Sequence, residues 1–470
     1  MERYNTDIVS RSAELVEAAK RWFWLCSGMS LTVLLLFGAG IWLCTFSLVQ
    51  AAGKDSLFLA LCEDSVVTQP DQVLLKANIT GNQIILVLSD GVFLPRSRSL
   101  ANAYISVDGH KVSNDSWIDW THSRHPVTHA FRAVGAVNLS PGTHMVALVA
   151  EGRAPFLIKS GTNLAIMTQP ADRVASTDLA KDSAVVAIVA PPRAPNSFLP
   201  YAPVATLDMS TDEGALVVLA AGRAYHAVGG PADEGDAWWG LWIDGKEASA
   251  DNATYSDNDM SVGSEMQAPM FSQGMFAPLA RGIHQVVLGA TTEPWPANAG
   301  NNNVRYCVGA GTKLLAMTGI RHYGHVRLIT TTPGVDQRFV FHCIGTSKTW
   351  SNCPDIGQDV TIAKGVIDVP EGHNGIFCIS ALTRVQGDVS DKGGVARFWL
   401  TIDGKQVGLV SQQQLVYPDA ESTRTIGLNF LTSGNNALSA GKHVVELHGK
   451  VDGEFVHLAV TKDMPIMWFD

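Results

Sequence analysis

The sequence predicts a mainly β fold, with three tandem antiparallel β-sandwich domains after an N-terminal hydrophobic α-helix. Three observations predict this fold class. The 470 residues include 43 glycines and 21 prolines, which favour many short strands and turns. One strand-and-turn motif occurs three times along the chain. A single long apolar segment near the N-terminus contains no charged side chain.

The composition excludes several classes of protein. Hydrophobic residues make up 46% of the chain and charged residues 17%, which is less than the ~25% of an ordinary soluble domain. Disordered and coiled-coil proteins need dense charge and little apolar content, so both classes are excluded. The formal net charge of -10 argues against a nucleic acid as partner.

Residues 23–49 form the apolar segment, which is longer than the ~20 residues that span a bilayer. Segment 1–22 contains four basic residues, Arg3, Arg11, Lys20 and Arg21, and acidic residues soon follow the apolar segment. The positive-inside rule therefore predicts that 1–22 is a cytoplasmic or inner amphipathic segment. It predicts that 23–49 is a transmembrane or buried hydrophobic helix and that the C-terminal bulk is extracellular, periplasmic or on a virion surface.

Two alternatives to a retained membrane anchor stay open. Val49-Gln50-Ala51 resembles the small-residue site that follows a cleaved signal peptide. A helix buried inside a larger assembly is the second alternative. We interpret the segment as a retained anchor, because it is much longer than the ~7–15 apolar residues of a signal peptide.

The repeated motif begins with an apolar alternation that ends in Asp-Gly, at Asp108-Gly109, Asp244-Gly245 and Asp403-Gly404. Such an alternation running into Asp-Gly predicts a strand that enters a tight hairpin. Further on, each copy contains Leu-x-x-Gly-x-His-x-Val-x-Leu. Its histidines are His144, His284 and His443. We interpret these histidines as structural, with each imidazole bonded to a neighbouring carbonyl or carboxylate.

Apolar strands extend each copy in both directions. The upstream strands are residues 84–88, 215–219 and 376–379, and the closing strands are 164–168, 315–318 and 458–461. Short alternating strands between Gly, Asn and Pro residues predict antiparallel sandwiches with one face of each sheet buried. The predicted sandwiches are 63–170, 182–320 and 326–470, joined by linkers at 50–62, 171–181 and 321–325.

The third copy resembles a known family. Residues 399–405 (WLTIDGK) and 438–449 (LSAGKHVVELHG), followed by a closing strand, resemble the jelly-roll domains of bacterial and phage surface fibres. Those domains are similar to the complement-C1q and tumour-necrosis-factor sandwich. The resemblance implies a trimer that binds a receptor or a glycan, and it covers the first two copies more loosely.

A histidine-rich stretch of the first copy is one candidate metal site. It contains Asp119, His122, His125 and His129, and these side-chain types bind zinc or copper. A solvated loop is the alternative, because Pro126 breaks any helix that would align the histidines.

Acidic residues of the second copy form another candidate metal site. Asp251, Asp257 and Asp259 offer hard oxygen ligands of the kind that Ca²⁺ prefers. An ordinary polar loop is the alternative, since the EF-hand pattern is missing. Ca²⁺ is the one cofactor that the sequence suggests, and no other is expected.

Five tryptophans are candidate ligand-binding residues, because an aromatic ring can lie on the apolar face of a sugar. They are Trp117, Trp120, Trp238, Trp239 and Trp242. Core packing is the alternative for each of them.

The seven cysteines do not form a regular disulfide framework. Cys343 and Cys353 close a short loop and are the predicted disulfide if the compartment is oxidising.

No catalytic signature motif is present, so we expect that the chain is not an enzyme. The sequence favours a non-catalytic, surface-displayed attachment protein of a bacterial cell or phage virion, which presents sandwiches to a receptor, a glycan or a neighbouring subunit. Its expected partners are a membrane and further subunits, as a homo-oligomer or a larger assembly. An architectural subunit of a membrane or virion assembly is one alternative, and a carbohydrate-active enzyme is another, since a carboxylate pair can come from distant strands.

Overall fold

The computed structural model describes most of the chain after residue 55. The described residues are 56–97, 99–119, 128–153, 155–180, 183–186, 202–212, 214–226, 235–247, 252–256, 270–294, 305–326, 332–333, 339–341, 359–387, 394–415, 423–453, 456–461 and 466–470. They belong to one compact unit. The predicted segments 1–22 and 23–49 lie outside them. Within the described ranges, no helix has the length and apolar character to cross a membrane.

The described residues are nearly all β, which confirms the predicted fold class. The strands of the first sandwich are β1 (Ser56–Ala60), β2 (Ser65–Val67), β3 (Gln72–Thr80), β4 (Ile84–Pro95), β5 (Leu100–Val107), β6 (His110–Lys111), β7 (Ile118–Asp119), β8 (His129–Asn138), β9 (Thr143–Gly152), β10 (Phe156–Ile158) and β11 (Asn163–Gln169). Those of the second are β12 (Val174–Asp178), β13 (Ser183–Val186), β14 (Ala202–Thr211), β15 (Gly214–His226), β16 (Gly235–Ile243), β17 (Lys246–Glu247), β18 (Asn252–Ser256), β19 (Met270–Leu279), β20 (Gly282–Pro294), β21 (Arg305–Val308) and β22 (Lys313–Ile320).

The strands of the third sandwich are β23 (Tyr323–Val326), β24 (Thr332–Pro333), β25 (Phe339–Phe341), β26 (Val360–Val369), β27 (Cys378–Gly387), β28 (Gly394–Ile402), β29 (Lys405–Leu415), β30 (Thr423–Leu431), β31 (Gly441–Gly453), β32 (Val456–Thr461) and β33 (Ile466–Phe469). Two single-turn 3₁₀ helices, Ala171–Arg173 and Gly434–Asn436, complete the described secondary structure.

The three sandwiches share one topology. In each, an inner sheet is built around a long central strand, which is β4, β15 or β27. The central strand pairs on one side with β8, β19 or β30, and on the other with β11, β22 or β33. The outer sheets have the orders β3-β9-β5-β6, β14-β20-β16-β17 and β26-β31-β28-β29. The Asp-Gly motif therefore marks a structural repeat.

Strand pairing refines the predicted ends of the repeats. Each predicted linker contains a strand, β1, β12 or β23, that pairs antiparallel with an inner sheet through β11, β22 or β33. The closing strand predicted at 458–461 lies in β32, which corresponds to β10 and β21. The strand equivalent to 164–168 is β33. The prediction took β32 for β33 because both strands are short and apolar and both pair with β27. The domain boundaries themselves remain a prediction.

The inner sheets are buried on both faces, so the expectation of one buried face per sheet is wrong for them. In β4, Ile85 and Val87 face the core of the first sandwich. Leu86 and Leu88, on the opposite face, belong to an apolar cluster that contains residues of all three sandwiches. Burial on both sides explains why the central strands are continuous apolar runs rather than alternating ones. We call this shared set of buried residues the common core.

A buried ion pair joins the first and third sandwiches. Arg132 on β8 donates to Asp90 on β4, with Nε 2.8 Å from Oδ1. Its Nη2 also donates across the contact to Asn429 Oδ1 at 2.8 Å and to Ser380 Oγ at 3.2 Å. A Cβ on Gly427 would lie 2.2 Å from the guanidinium, so glycine leaves the space that Arg132 occupies. The guanidinium charge is thus balanced inside the protein instead of by water.

We expect Arg132→Met to destabilise the chain by about 3–5 kcal/mol, because it leaves the Asp90 carboxylate buried without its cation. Urea unfolding measures the loss. The matched control is Lys364→Met, which removes an exposed ion pair to Glu446 and should cost about 0–1 kcal/mol. The double variant Arg132→Met with Asp90→Leu should be more stable than Arg132→Met alone. Equal effects of Arg132→Met and Lys364→Met would contradict the prediction.

The repeated Asp-Gly and histidine motif forms the same turn in every sandwich, in which the histidine is hydrogen-bonded to the turn aspartate. We call this histidine–aspartate pair a pin and the turn a pinned turn. Both central residues of each turn have positive φ, as a type I′ hairpin requires, with the aspartates at 51°, 51° and 50°. Each histidine places Nδ1 2.6–2.7 Å from an aspartate Oδ2 and Nε2 2.8–2.9 Å from a backbone carbonyl four residues earlier. The pairs are Asp108–His144, Asp244–His284 and Asp403–His443. The structural interpretation of these histidines matches this geometry.

Each pin favours a charged imidazole. Both ring nitrogens face acceptors, so both are best satisfied when they carry protons. The hydrogen bond to Asp244, followed by that to the Ala280 carbonyl, raises the pKa of His284 above its usual value. The hydrogen bond from His284, followed by the Gln285 amide, lowers the pKa of Asp244. The shifts have the same directions in the other two pins.

We expect the stabilising effect of a pin to depend on pH. The imidazole contribution is complete below about pH 6.5 and is lost as pH rises through the raised folded pKa. The carboxylate contribution is present above about pH 4 and is lost as pH falls through the lowered folded pKa. The Tm difference between the wild type and His284→Gln should therefore be largest between these limits. A difference that stays constant from mildly acidic to strongly alkaline pH would count against the charged pin.

Candidate functional site

A hydrogen-bonded carboxylate cluster lies on the outer sheet of the first sandwich. Asn102 on β5 stands directly opposite Glu151 on β9 in the antiparallel register. The start of β3 pairs with β9 at Gln72 and Ala150, which brings the preceding residue, Asp71, to the same end of the sheet. Asp115 approaches from the segment between β6 and β7. Residues distant in sequence therefore meet at one place, which we call the acidic cluster.

Asn102 organises two of the carboxylates. Its side chain is fully buried, and its Nδ2 donates to Asp115 Oδ1 at 2.9 Å and to Glu151 Oε1 at 2.8 Å. Its Oδ1 accepts the backbone N–H of Ser116 at 2.9 Å. Both amide hydrogens and the carbonyl oxygen of Asn102 are thus engaged, which fixes the orientation of the two carboxylates.

The carboxylates have different electrostatic surroundings. Burial raises the pKa of Glu151, the hydrogen bond from Asn102 opposes that shift, and the nearby charges of Asp71 and Asp115 raise it further. Asp115 accepts a charged hydrogen bond from Lys111, with Nζ 2.7 Å from Oδ2. Lys111 thus lies next to one carboxylate of the pair, whereas burial and neighbouring acidic charge raise the pKa of the other.

Tyr104 connects Asp71 to the cluster. The Tyr104 hydroxyl donates to Asp71 Oδ1 at 2.7 Å, and the Lys111 ammonium lies 5.7 Å from the centre of the Tyr104 ring. Burial and the hydrogen bond to Asp71 raise the pKa of Tyr104, so it remains a neutral donor. Asp71 itself has a left-handed backbone, with φ of 54°. The turn aspartates Asp108, Asp244 and Asp403 have the same conformation, so at Asp71 it belongs to the turn that precedes β3.

The structure places the predicted tryptophans in different settings. Trp117 is half-buried and lies two residues after Asp115 in the sequence. Trp242 is half-buried on β16, with its ring over Gly240, where an added Cβ would lie 2.5 Å away. Trp238 and Trp239 lie on β16, but their side chains are not described, and Trp120 lies outside the described residues.

The predicted metal ligands are not brought together within the described part of the chain. His129 is buried, and its Nδ1 lies 3.1 Å from Gln413 Nε2 of the third sandwich. Asp119 is placed on β7 without a described side chain. The remaining candidates, which lie outside the described residues, are His122, His125, Asp251, Asp257 and Asp259. These ligand sets, and Ca²⁺ as a cofactor, stay predictions.

The predicted disulfide also stays a prediction, because Cys343 and Cys353 lie outside the described residues. Of the cysteines with described side chains, Cys62 is exposed and Cys378 is buried, and both are free. Burial raises the pKa of the Cys378 thiol to about 12, so it remains protonated in the common core.

The acidic cluster was missed by sequence reasoning. Asn102 and Tyr104 are two positions apart on β5, so they lie on one face of the strand, but both precede the predicted alternation, which begins at Ile105. The approach of Asp71 and Asp115 depends on strand order and on the path of a connecting segment. The positions of Asp71 and Asp115 in the sequence therefore do not indicate that these residues meet.

No family model and no curated protein matches this chain. Among solved structures, it is similar to PNGase F, a glycosylasparaginase from Flavobacterium meningosepticum, at 10% identity and a TM-score of 0.26 over 56% of this chain and 96% of that one. It is similar to the CBM22-1–CBM22-2 tandem domain of Paenibacillus barcinonensis Xyn10C, at 14% identity and a TM-score of 0.17 over 55% and 92%. It is also similar to a chain of Sulfolobus turreted icosahedral virus, at 9% identity and a TM-score of 0.20 over 86% and 91%.

These similarities correct two predictions. We predicted a non-catalytic attachment protein, and therefore a chain that is not an enzyme, because the sandwiches are repeated and no catalytic motif is present. PNGase F is an enzyme among the β-sandwich neighbours, so that inference is contradicted. The fold is a β-sandwich. The neighbours do not support the narrower C1q and tumour-necrosis-factor type of sandwich. At these identities and TM-scores, no activity or residue role passes from the neighbours to this chain.

Proposed function

We propose that this chain is a carbohydrate-active hydrolase whose acid–base centre is the acidic cluster of the first sandwich. The observation that carries the proposal is the fully buried Asn102, which holds Asp115 and Glu151 by one amide nitrogen. Glycoside hydrolysis uses two carboxyl groups with different protonation states. A positioned pair with unlike surroundings supports that chemistry.

Glu151 is the proposed general acid. Its pKa is raised by burial and by neighbouring acidic charge, so it holds its proton at higher pH than an ordinary glutamate. In this role it donates the proton to the leaving oxygen as the glycosidic bond breaks. Asn102 is a positioning residue, because it acts through the carboxylates that it orients.

Asp115 is the proposed nucleophile, and the short distance between the carboxyl groups supports this role. The two carboxylate oxygens can be no further apart than the two hydrogen bonds to Asn102 laid end to end, 2.9 and 2.8 Å. Inverting enzymes separate their carboxyl groups by ~6.5–9.5 Å to admit water, and retaining enzymes by ~5–5.5 Å. The proposed reaction therefore retains the configuration of the anomeric carbon. Trp117, which follows Asp115 by two residues, is the proposed aromatic surface for a sugar ring.

The test is hydrolysis of a panel of fluorogenic glycosides and labelled oligosaccharides by the purified full chain. We expect Glu151→Gln to lower kcat about 10²–10⁴-fold, because general acid catalysis is lost. Activity of the wild type should fall as pH rises through the raised pKa of Glu151. Glu446→Gln is the matched control. It changes a glutamate that is paired with a lysine on the third sandwich, and it should leave turnover unchanged.

Turnover of no substrate in the panel, or equal turnover by wild type and Glu151→Gln, would contradict the proposed centre. Product analysis by NMR tests the stereochemistry. Inversion at the anomeric carbon would contradict the role of Asp115 as nucleophile.

We also propose the narrower C1q and tumour-necrosis-factor type of architecture, with the three sandwiches of one chain in place of three protomers. Its support is the common core, to which each sandwich contributes a face of its inner sheet, for example Leu86, Val217 and Cys378. A shared apolar surface of this kind is typical of permanent association. Further copies or other subunits as partners remain part of this proposal.

We propose, finally, that residues 23–49 hold the chain in a membrane with the C-terminal bulk outside, on a cell or virion surface. The charge distribution around the segment supports this orientation. We expect the full chain to stay with membranes after alkaline carbonate washing and Leu34→Arg with Leu36→Arg to be released, because a charge at the bilayer centre costs about 2.5–3.5 kcal/mol. The control is Leu34→Ile with Leu36→Ile. Release of the wild type would contradict the anchor.

A further inference from the structure

We propose that the third sandwich contains a binding site for a divalent transition-metal ion of the zinc type. The site consists of His322, His373 and Asp470, and it is distinct from the acidic cluster. His322 directly precedes β23, His373 lies in the turn after β26, and Asp470 directly follows β33. One ligand atom of each residue lies within 4.8 Å of the others.

The ligand atoms already converge on one point. Asp470 Oδ2 lies 2.8 Å from His322 Nδ1 and 3.2 Å from His373 Nε2. Tetrahedral zinc with bonds of about 2.0 Å separates its ligand atoms by about 3.3 Å. An ion can therefore take the place of the protons that the imidazoles share with the carboxylate. Each imidazole nitrogen needs to move away from Asp470 Oδ2 by no more than about 0.5 Å, and the two nitrogens lie within 4.8 Å of each other.

Surrounding groups fix these ligands in place. Asp470 Oδ1 accepts the backbone N–H groups of Arg321 and His322, both at 3.1 Å, which leaves Oδ2 for the ion. His373 Nδ1 accepts the N–H of Gly375 at 2.8 Å, so the ring proton lies on Nε2, which donates it to Asp470. An ion at Nε2 displaces this proton to Nδ1, and the hydrogen bond from Gly375 must then break. The His373 ring also stacks on Phe377, with 5.1 Å between centroids. The two backbone N–H groups on Asp470 are partners of the kind that orient carboxylate ligands in metal sites.

The donor set and its exposure indicate the class of ion. Two imidazoles and one carboxylate are borderline ligands that suit zinc, cobalt or iron(II) better than calcium, which prefers oxygen ligands alone. The His322 side chain is 35% exposed, whereas those of His373 and Asp470 are 14% and 17% exposed. An ion can therefore enter from the His322 side, and a fourth position remains for water.

The test is titration of the chelator-treated full chain with Co²⁺, followed by visible absorption, and then competition with Zn²⁺. We expect one saturable Co²⁺ equivalent that Zn²⁺ displaces. His322→Gln and His373→Gln should each weaken binding at least about tenfold. His284→Gln is the matched control, because it removes an imidazole from a histidine–aspartate pair that has no third ligand among the described residues, and it should bind as the wild type does.

No saturable binding by the wild type, or binding that His322→Gln and His373→Gln leave unchanged, would overturn the proposal. X-ray absorption of the wild type with one Zn²⁺ equivalent decides the matter even if these variants fail to fold. A shell with two imidazoles and oxygen supports the site. Sulfur ligands or a shell of water alone would overturn it.

Discussion

Burial of the inner sheets on both faces is the constraint on which the rest of this structure depends. Once β4, β15 and β27 face a sandwich core on one side and the common core on the other, neither face can carry polar groups freely. Arg132 with Asp90 is a charged exception, and the third sandwich supplies Asn429 and Ser380 as further partners for the buried guanidinium. The constraint also explains the low charge and high apolar content of the chain.

Polar chemistry is consequently found away from the common core. The acidic cluster lies on the outer sheet of the first sandwich, and the proposed metal ligands lie in turns and at a strand end of the third. The pinned turns of the outer sheets have the same histidine–aspartate and histidine–carbonyl contacts in every copy. A rigid repeated frame with differing outer surfaces allows each sandwich to carry its own site, and this arrangement is typical of sites on stable folds.

Local features of the fold could be predicted from the sequence, because they follow from neighbouring residues. Asp108-Gly109 and its two counterparts specify a type I′ turn by backbone preference alone. The second buried face of β4 was not predicted, because an apolar run such as Ile84–Leu88 does not indicate which part of the protein packs on each face of the strand. The acidic cluster and the metal ligands were missed for a related reason. His322 and Asp470 are separated by 148 positions, and only the pairing of β23 with β33 brings them together.

Native-state hydrogen exchange in increasing urea tests the common core most directly. If the three inner sheets depend on one another, the amides of β4, β15 and β27 should exchange through a single global opening, with the same free energy and the same dependence on urea. Three separate openings, with one sandwich losing protection while the other two keep theirs, would show that the common core does not hold the molecule together.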